Sequence, residues 1–271
     1  MTDEERYLFD LMGYLVVPNV LTALEIQELN SIIDRLGDWE ERTGSRHVHT
    51  GMDEEHVSQA FHDPRAGLVE WFSGLMLEWG DGIRQLVGHD RIFPYIKELL
   101  GNAARLDHQY AVLQRRCQKI EGTLALHGGG TPPSPHEYYR YQNGEFFNGL
   151  TVFSFALTDV PLGAGGFGCL PGSHKSNIPL PQGFKSLFPA RREVVHVPMK
   201  AGDVLIFTEA LTHGTLAWTS SHERRALLFK YCPAHMQWER NSPYAPIGYD
   251  WTPRQRALLR RPYVARRQQC P

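Results

Sequence analysis

From about residue 105 the chain is a succession of short apolar runs, and this most narrows what it can fold into. "HQYAVLQ" (108–114), "GTLALHG" (122–128), "LTVFSFALTDV" (150–160), "GGFGCLPGSH" (165–174), "EVVHVPM" (193–199), "DVLIFTEALTHGT" (203–215) and "RRALLFKYC" (224–232) are rich in β-branched, aromatic and leucine residues, with Gly, Pro and Asp between them. Such runs favour a pleated, buried surface, and the punctuation favours turns. Strands at this spacing imply an all-β core, a sandwich or jelly roll. A chain of 271 residues is long enough to bury such a core.

The part before residue 105 has a different period. "GYLVVPNV" (13–20) predicts a short strand. "TALEIQELNSIIDRLG" predicts a helix, with Thr22 as cap, Glu25 three residues on, and an apolar stripe of Leu24, Ile26, Leu29, Ile32, Ile33 and Leu36. "RIFPYIKELLG" predicts a second helix stopped by Gly101, and "TPRQRALLRRPY" a closing one capped by Thr252 with Pro253 at its first position. The organisation expected is one domain: helical support over about 1–104, a barrel over about 105–235 and an extension over 236–271. The stretches 128–148 and 40–64 read as long loops that would form a substrate pocket, the first as a lid.

The formal net charge of −2 argues against a general binder of nucleic-acid polymers. Residues 1–55 hold 13 acids and 4 bases, and 238–271 hold 7 bases and 2 acids, as for two solvated faces that attract each other. The four cysteines form no CxxC pair, and no apolar run is long enough to span a membrane. A reduced, cytoplasmic protein without a membrane or protein partner is the expectation.

Two histidines lie at strand ends. His213 follows the apolar run 203–211, and alternation puts Thr215 on its face, as it puts Gly129 on the face of His127. Arg224 comes eleven residues after His213 and opens the next run, so a returning strand brings it back beside His213. A guanidinium held inside a barrel requires an anion, and its planar fork suits a carboxylate. Arg225 should point to the opposite face.

These features resemble the phytanoyl-CoA dioxygenase family of iron(II)- and 2-oxoglutarate-dependent oxygenases. The resemblance starts at "GYLVVPNVL" and is strongest over "ALTDVPLGAGGFGCLPGSHKSN" and "AGDVLIFTEALTHGT…RRALLFKY". It implies a double-stranded β-helix, a cupin-like jelly-roll barrel with flanking N-terminal helices. It implies that His127 and His213 bind Fe(II), that Arg224 assisted by Thr215 holds the far carboxylate of 2-oxoglutarate, and that O2 is consumed. The chain departs from the family at one place: where the family has an aspartate two residues after the first histidine, it has Gly129.

Iron(II) in such sites is held by two histidines and a carboxylate. Related radical halogenases carry Gly or Ala at the carboxylate position, and chloride binds there. The resemblance therefore implies a radical halogenase that chlorinates an unactivated C–H bond of a small natural-product precursor, with a nucleoside or nucleotide permitted by the basic residues. The alternative is a hydroxylase in which Glu137 folds back as third ligand or water fills the position. From other classes come a non-catalytic barrel used as a binding module and a zinc hydrolase, which would need a third protein ligand and no Arg224.

Bland roles remain for the other candidates. His108, His136, His174 and His196 read as structural, with His136 the rival for His127. Tyr138, Tyr139, Tyr141, Phe146 and Phe147 either line a pocket or pack the lid. Arg115, Arg116, Lys119 and Arg140 read as solvated surface before anion site, and Asp159 as a cap of the "PLGAGG" turn.

Overall fold

The computed structural model describes residues 1–38, 40–41, 62–63, 67–72, 74–116, 125–186, 191–239, 245 and 248–264. Its strands are β1 (Tyr14–Val17), β2 (His62–Asp63), β3 (Leu68–Phe72), β4 (Arg105–Gln114), β5 (Tyr139–Gln142), β6 (Glu145–Asn148), β7 (Thr151–Ala156), β8 (Gly166–Cys169), β9 (Val195–His196), β10 (Val204–Thr208), β11 (His213–Leu216) and β12 (Arg224–Cys232). The α-helices are α1 (Asp3–Met12), α2 (Ala23–Asp34), α3 (Asp81–Gln85), α4 (Phe93–Leu100) and α5 (Pro253–Leu258). Two sheets make the double-stranded β-helix: a seven-stranded one in the order β1-β10-β7-β12-β4-β3-β2, and a three-stranded one in the order β11-β8-β9.

The central strands are buried on both faces, which is why their sequences run apolar without a polar alternation. The period of two survives as a difference in size and chemistry. Phe153 and Phe155 of β7, with Leu227, Phe229 and Tyr231 of β12, pack against Phe9, Leu29, Ile32, Ile33, Ile96 and Leu99 of α1, α2 and α4. The opposite face carries smaller groups, Val152 and Ala156 of β7, Ala226 and Leu228 of β12 and Val112 of β4, which form the barrel lining. Burying each large side chain contributes about 1.5–3 kcal/mol, so the helix-covered face anchors the sheet while the barrel face keeps room for a site.

The predicted helices form, and two of them start at the predicted caps. Thr22 and Glu25 make a reciprocal capping box on α2, and Thr252 does the same with Gln255 on α5. α1, for which no expectation was formed, is capped by Thr2 and Glu5 and stopped by Gly13 at φ +82°. The N-terminal part is more than support, because β1 pairs with β10 and β3 pairs with β4. The run 203–215 is not one strand: β10 belongs to the large sheet and β11 to the small one, with a turn between them.

The stretch 128–148 was expected to be a lid, but its second half is a hairpin. β5 and β6 pair across Asn143 and Gly144, whose φ values of +55° and +80° suit a tight two-residue turn. Phe146 is buried edge-on against Phe9, 5.9 Å between ring centres, and Tyr139 hydrogen-bonds Asp10. These two aromatics pack the hairpin onto α1. Most of the stretch 40–64 lies outside the described residues.

Candidate metal centre

β11 begins at His213, and His127 forms an isolated antiparallel bridge to that residue. His127 and His213 exchange both backbone hydrogen bonds, at 2.8 and 2.9 Å, and so sit directly opposite each other. Their rings lie 4.2 Å apart between centres. His127 is exposed at the barrel mouth, whereas His213 is buried behind it against Phe167 and Phe207, with ring centres at 5.7 and 4.7 Å.

The local backbone fixes the imidazole tautomer at His213. Its Nδ1 lies 2.7 Å from the Leu211 carbonyl oxygen, which can only accept, so Nδ1 donates and Nε2 keeps its lone pair. A backbone hydrogen bond at Ala125, also two residues upstream, ties His127. Burial pushes the His213 pKa down to about 3, with the neighbouring His127 adding to the effect. The protein packed around the His127 ring likewise lowers its pKa, although the residue is reached by solvent. Both rings are therefore neutral at pH 7, the form that binds a metal.

One further acid joins them. His127, Glu209 and His213 each offer a donor atom, and the three atoms lie within 4.8 Å of one another. Glu209 follows β10 by one residue and continues its barrel-facing row of Leu205 and Phe207. It is only 5% exposed and forms an ion pair of 2.8 Å with Lys230 of β12. Burial opposes its charge, but the Lys230 ammonium outweighs this and holds the carboxyl well below its usual range. Two imidazoles and a carboxylate are the donor set that suits non-haem iron(II), so these residues fit the metal. Sequence reasoning missed Glu209. The signal was there, in the alternation 205, 207, 209 carried one step past the end of the strand.

The three glycines after His127 follow from close packing. A Cβ on Gly128, at φ +74°, would lie 2.6 and 2.7 Å from the carbonyl oxygens of Glu209 and Leu211. A Cβ on Gly130 would lie 2.6 Å from the His174 carbonyl oxygen. Gly129 is less crowded, with Thr212 Oγ1 at 3.3 Å from such a Cβ, but its φ of +119° is strained for any L side chain. The stretch therefore lies on the turn that carries Glu209.

Arg224 is buried at the start of β12, on the row that continues through Ala226 and Leu228 to Lys230. Its Nη1 lies 3.5 Å from Gln114 Oε1, and Gln114 donates to the Leu216 carbonyl at 2.9 Å, next to Thr215 on β11. Gly166 makes room for the guanidinium, since a Cβ there would stand 2.8 Å from Arg224 Nε. Arg225 faces the other way and pairs with Asp34 of α2 at 2.7 Å and Glu223 at 3.0 Å.

The remaining candidates have structural partners. His136 and Glu137 contact each other at 3.6 Å and lie outside the group of three. Burial, reinforced by the charge of Glu209 and opposed by His136, raises the Glu137 pKa. His108 binds Asp107 at 2.7 Å, and His196 binds the Gly165 carbonyl at 2.6 Å. His174 donates to the Asp10 carbonyl at 3.0 Å, fastening the PGSHK turn to α1. Asp159 accepts from the backbone of Ala201 at 2.9 Å and from Lys200 at 3.0 Å. Arg115 pairs with Glu40 at 3.7 Å and Arg140 covers the Phe147 ring, while Lys119 lies outside the described residues. Among the described residues no helix is long and apolar enough to cross a membrane.

The sequence model of the phytanoyl-CoA dioxygenase family matches residues 9–226. The chain belongs to that family. It is thereby a dioxygenase-type oxidoreductase. No curated protein sequence matches it. Among solved structures it is similar to HygX from Streptomyces hygroscopicus with nickel and 2-oxoglutarate bound, at 22% identity over 88% of this chain and 89% of that one, with a TM-score of 0.69. HygX with nickel, 2-oxoglutarate and hygromycin B matches at 22% identity, over the same shares of the two chains, with a TM-score of 0.68. The epimerase SnoN from nogalamycin biosynthesis, in complex with Fe3+, alpha ketoglutarate and nogalamycin RO, is 20% identical over 97% of this chain and 95% of that one, with a TM-score of 0.60. At these identities the likeness is one of fold.

Proposed function

We propose that the chain oxidises an unactivated C–H bond of a small molecule, using iron(II), 2-oxoglutarate and O2. His127 and His213 would hold the iron, and Arg224, assisted by Thr215, would receive the far carboxylate of 2-oxoglutarate. The observation that carries this reading is the directly opposed pair His127 and His213, both neutral, with the buried Arg224 on the barrel-facing row of β12. Bound iron(II) with its cosubstrate would supply oxygen activation and removal of a hydrogen atom from substrate. The protein's own part is to present the His213 lone pair through the Leu211 carbonyl, to keep water from its ring with Phe167 and Phe207, and to pair the cosubstrate's charge. HygX with hygromycin B and SnoN with nogalamycin RO support a natural product or its precursor as the substrate class.

Hydroxylation-type oxidation is the outcome favoured here, and chlorination is the second reading, carried by the missing side chain at Gly129. The absence of a ligand side chain there is explained equally by its φ of +119°. Anaerobic addition of iron(II) and then 2-oxoglutarate, followed by visible absorption, tests the site. Succinate release in air tests the reaction. A folded protein that binds neither metal nor 2-oxoglutarate would leave only a binding barrel.

A further inference from the structure

We propose that Glu209 is the carboxylate ligand of the metal. The family's acid, two residues after the first histidine, would be replaced here by one four residues before the second. The inference rests on the reading that His127 and His213 bind the metal, and it deepens that reading.

The geometry carries it. Among the described residues, His127, Glu209 and His213 form the group of three whose donor atoms lie within 4.8 Å of one another. Glu209 is only 5% exposed, and a carboxylate buried in a barrel needs cations or hydrogen-bond donors facing it. Lys230 supplies one, at 2.8 Å. A metal between the histidines would supply a second on the side where the carboxylate meets their rings.

The turn that bears Glu209 is also rigid. The backbone of Glu209 donates to Leu150, that of Leu211 to Thr208, and that of Thr212 to the Ser173 hydroxyl, at 2.9, 2.9 and 2.8 Å. Gly128 then lets the His127 strand lie directly on this turn, because any Cβ would collide with the Glu209 and Leu211 carbonyls. Gly129 stands where the usual acid would, and its neighbour Gly128 brings the proximal histidine onto the new one. With the carboxylate position filled from the other strand, no place is left for halide, and oxygen transfer rather than chlorination follows.

The alternative role for Glu209 is that of counter-ion to Lys230 alone, and the test separates the two. Cobalt(II) is titrated anaerobically into the wild type, Lys230→Met and the double variant Glu209→Gln/Lys230→Met. The double variant removes both charges together, so it leaves no buried ion unpaired. Circular dichroism and melting curves establish that each protein is folded. The expected result is tight binding by the wild type, retained binding by Lys230→Met, and a loss on the order of 100-fold in the double variant. Chloride should leave the cobalt spectrum of the wild type unchanged. A folded double variant that binds cobalt within about threefold of the wild type overturns the inference. So does a double variant no weaker than Lys230→Met, or a wild-type spectrum that shifts with chloride. A wild type that binds no cobalt at all would instead remove the two-histidine reading beneath it.

Discussion

Replacing Gly128 by alanine adds one methyl group where the His127 segment crosses the Glu209 turn. Two costs can be worked from the geometry. The residue has φ +74°, and holding a non-glycine residue in left-handed conformation costs about 1–2 kcal/mol. The new Cβ would also lie 2.6 and 2.7 Å from two backbone carbonyl oxygens and 3.3 Å from His213 Nδ1. Backbone cannot rotate aside as a side chain does, so relieving that overlap costs a further 1–3 kcal/mol or so. The sum, about 2–5 kcal/mol, corresponds to a fall in Tm of about 4–10 °C for a chain of this size. Gly144→Ala is the matched control, because its φ is +80° but nothing lies within 4 Å of its added Cβ. It should show the conformational cost alone. Differential scanning calorimetry on the two variants reads the difference, and a cobalt(II) titration should show Gly128→Ala weakened as the turn moves away from His127. If Gly128→Ala melted within about 1 °C of Gly144→Ala, the close approach of the two segments would be wrong.

Other perturbations follow from the same geometry. Arg224→Ala should cost 2-oxoglutarate some hundredfold or more in affinity by anaerobic titration, a loss of about 3–5 kcal/mol, whereas Arg225→Ala, which removes partly exposed ion pairs to Asp34 and Glu223, should leave that affinity unchanged; the reverse order would mean the strand register is wrong. His127→Ala and His213→Ala should each abolish iron binding while His136→Ala keeps it, and loss of iron from His136→Ala alone would reassign the proximal ligand. Burial holds the His174 pKa at about 4, against the pull of its hydrogen bond to Asp10, and its buried Nδ1 has no hydrogen-bond partner among the described residues. The folded pKa lies below the unfolded value of about 6.5, so the unfolded chain takes up the proton first. The stabilisation is complete above pH 6.5 and is lost as pH falls toward 4, by up to about 3 kcal/mol. Urea unfolding between pH 7 and pH 4 should show that slope, reduced in His174→Asn, and an equal slope in the variant would assign the acid sensitivity elsewhere.

Local sequence was sufficient wherever a rule depends on neighbours along the chain. Thr22 with Glu25 and Thr252 with Gln255 specify helix starts through contacts three residues apart. The apolar runs specify β4, β7, β10 and β12, because strand preference is carried by each residue's own side chain. The place of Arg224 was less legible: the strand it opens does not return beside His213 but runs in the other sheet, where Arg224 stands by Gln114 and Gly166 near the Leu216 end of β11. The hairpin at 139–148 was less legible. Its turn residues Asn143 and Gly144 were visible, but the docking of Phe146 and Tyr139 onto α1 depends on a helix more than a hundred residues earlier.

The sequence by itself determined an all-β core and the absence of an acid two residues after His127. Only the tertiary structure brings a carboxylate, that of Glu209, to the two histidines. Glu209 is 82 residues from His127 along the chain, and no periodicity links them. They meet because His127 bridges His213 at the start of β11, because β10 ends in a turn hydrogen-bonded to Leu150 and Ser173, and because Lys230 of β12 pairs with the buried carboxylate. The charge of a buried acid and the steric need for a glycine are both set by what lies across space, and neither is a property of the residues on either side in sequence.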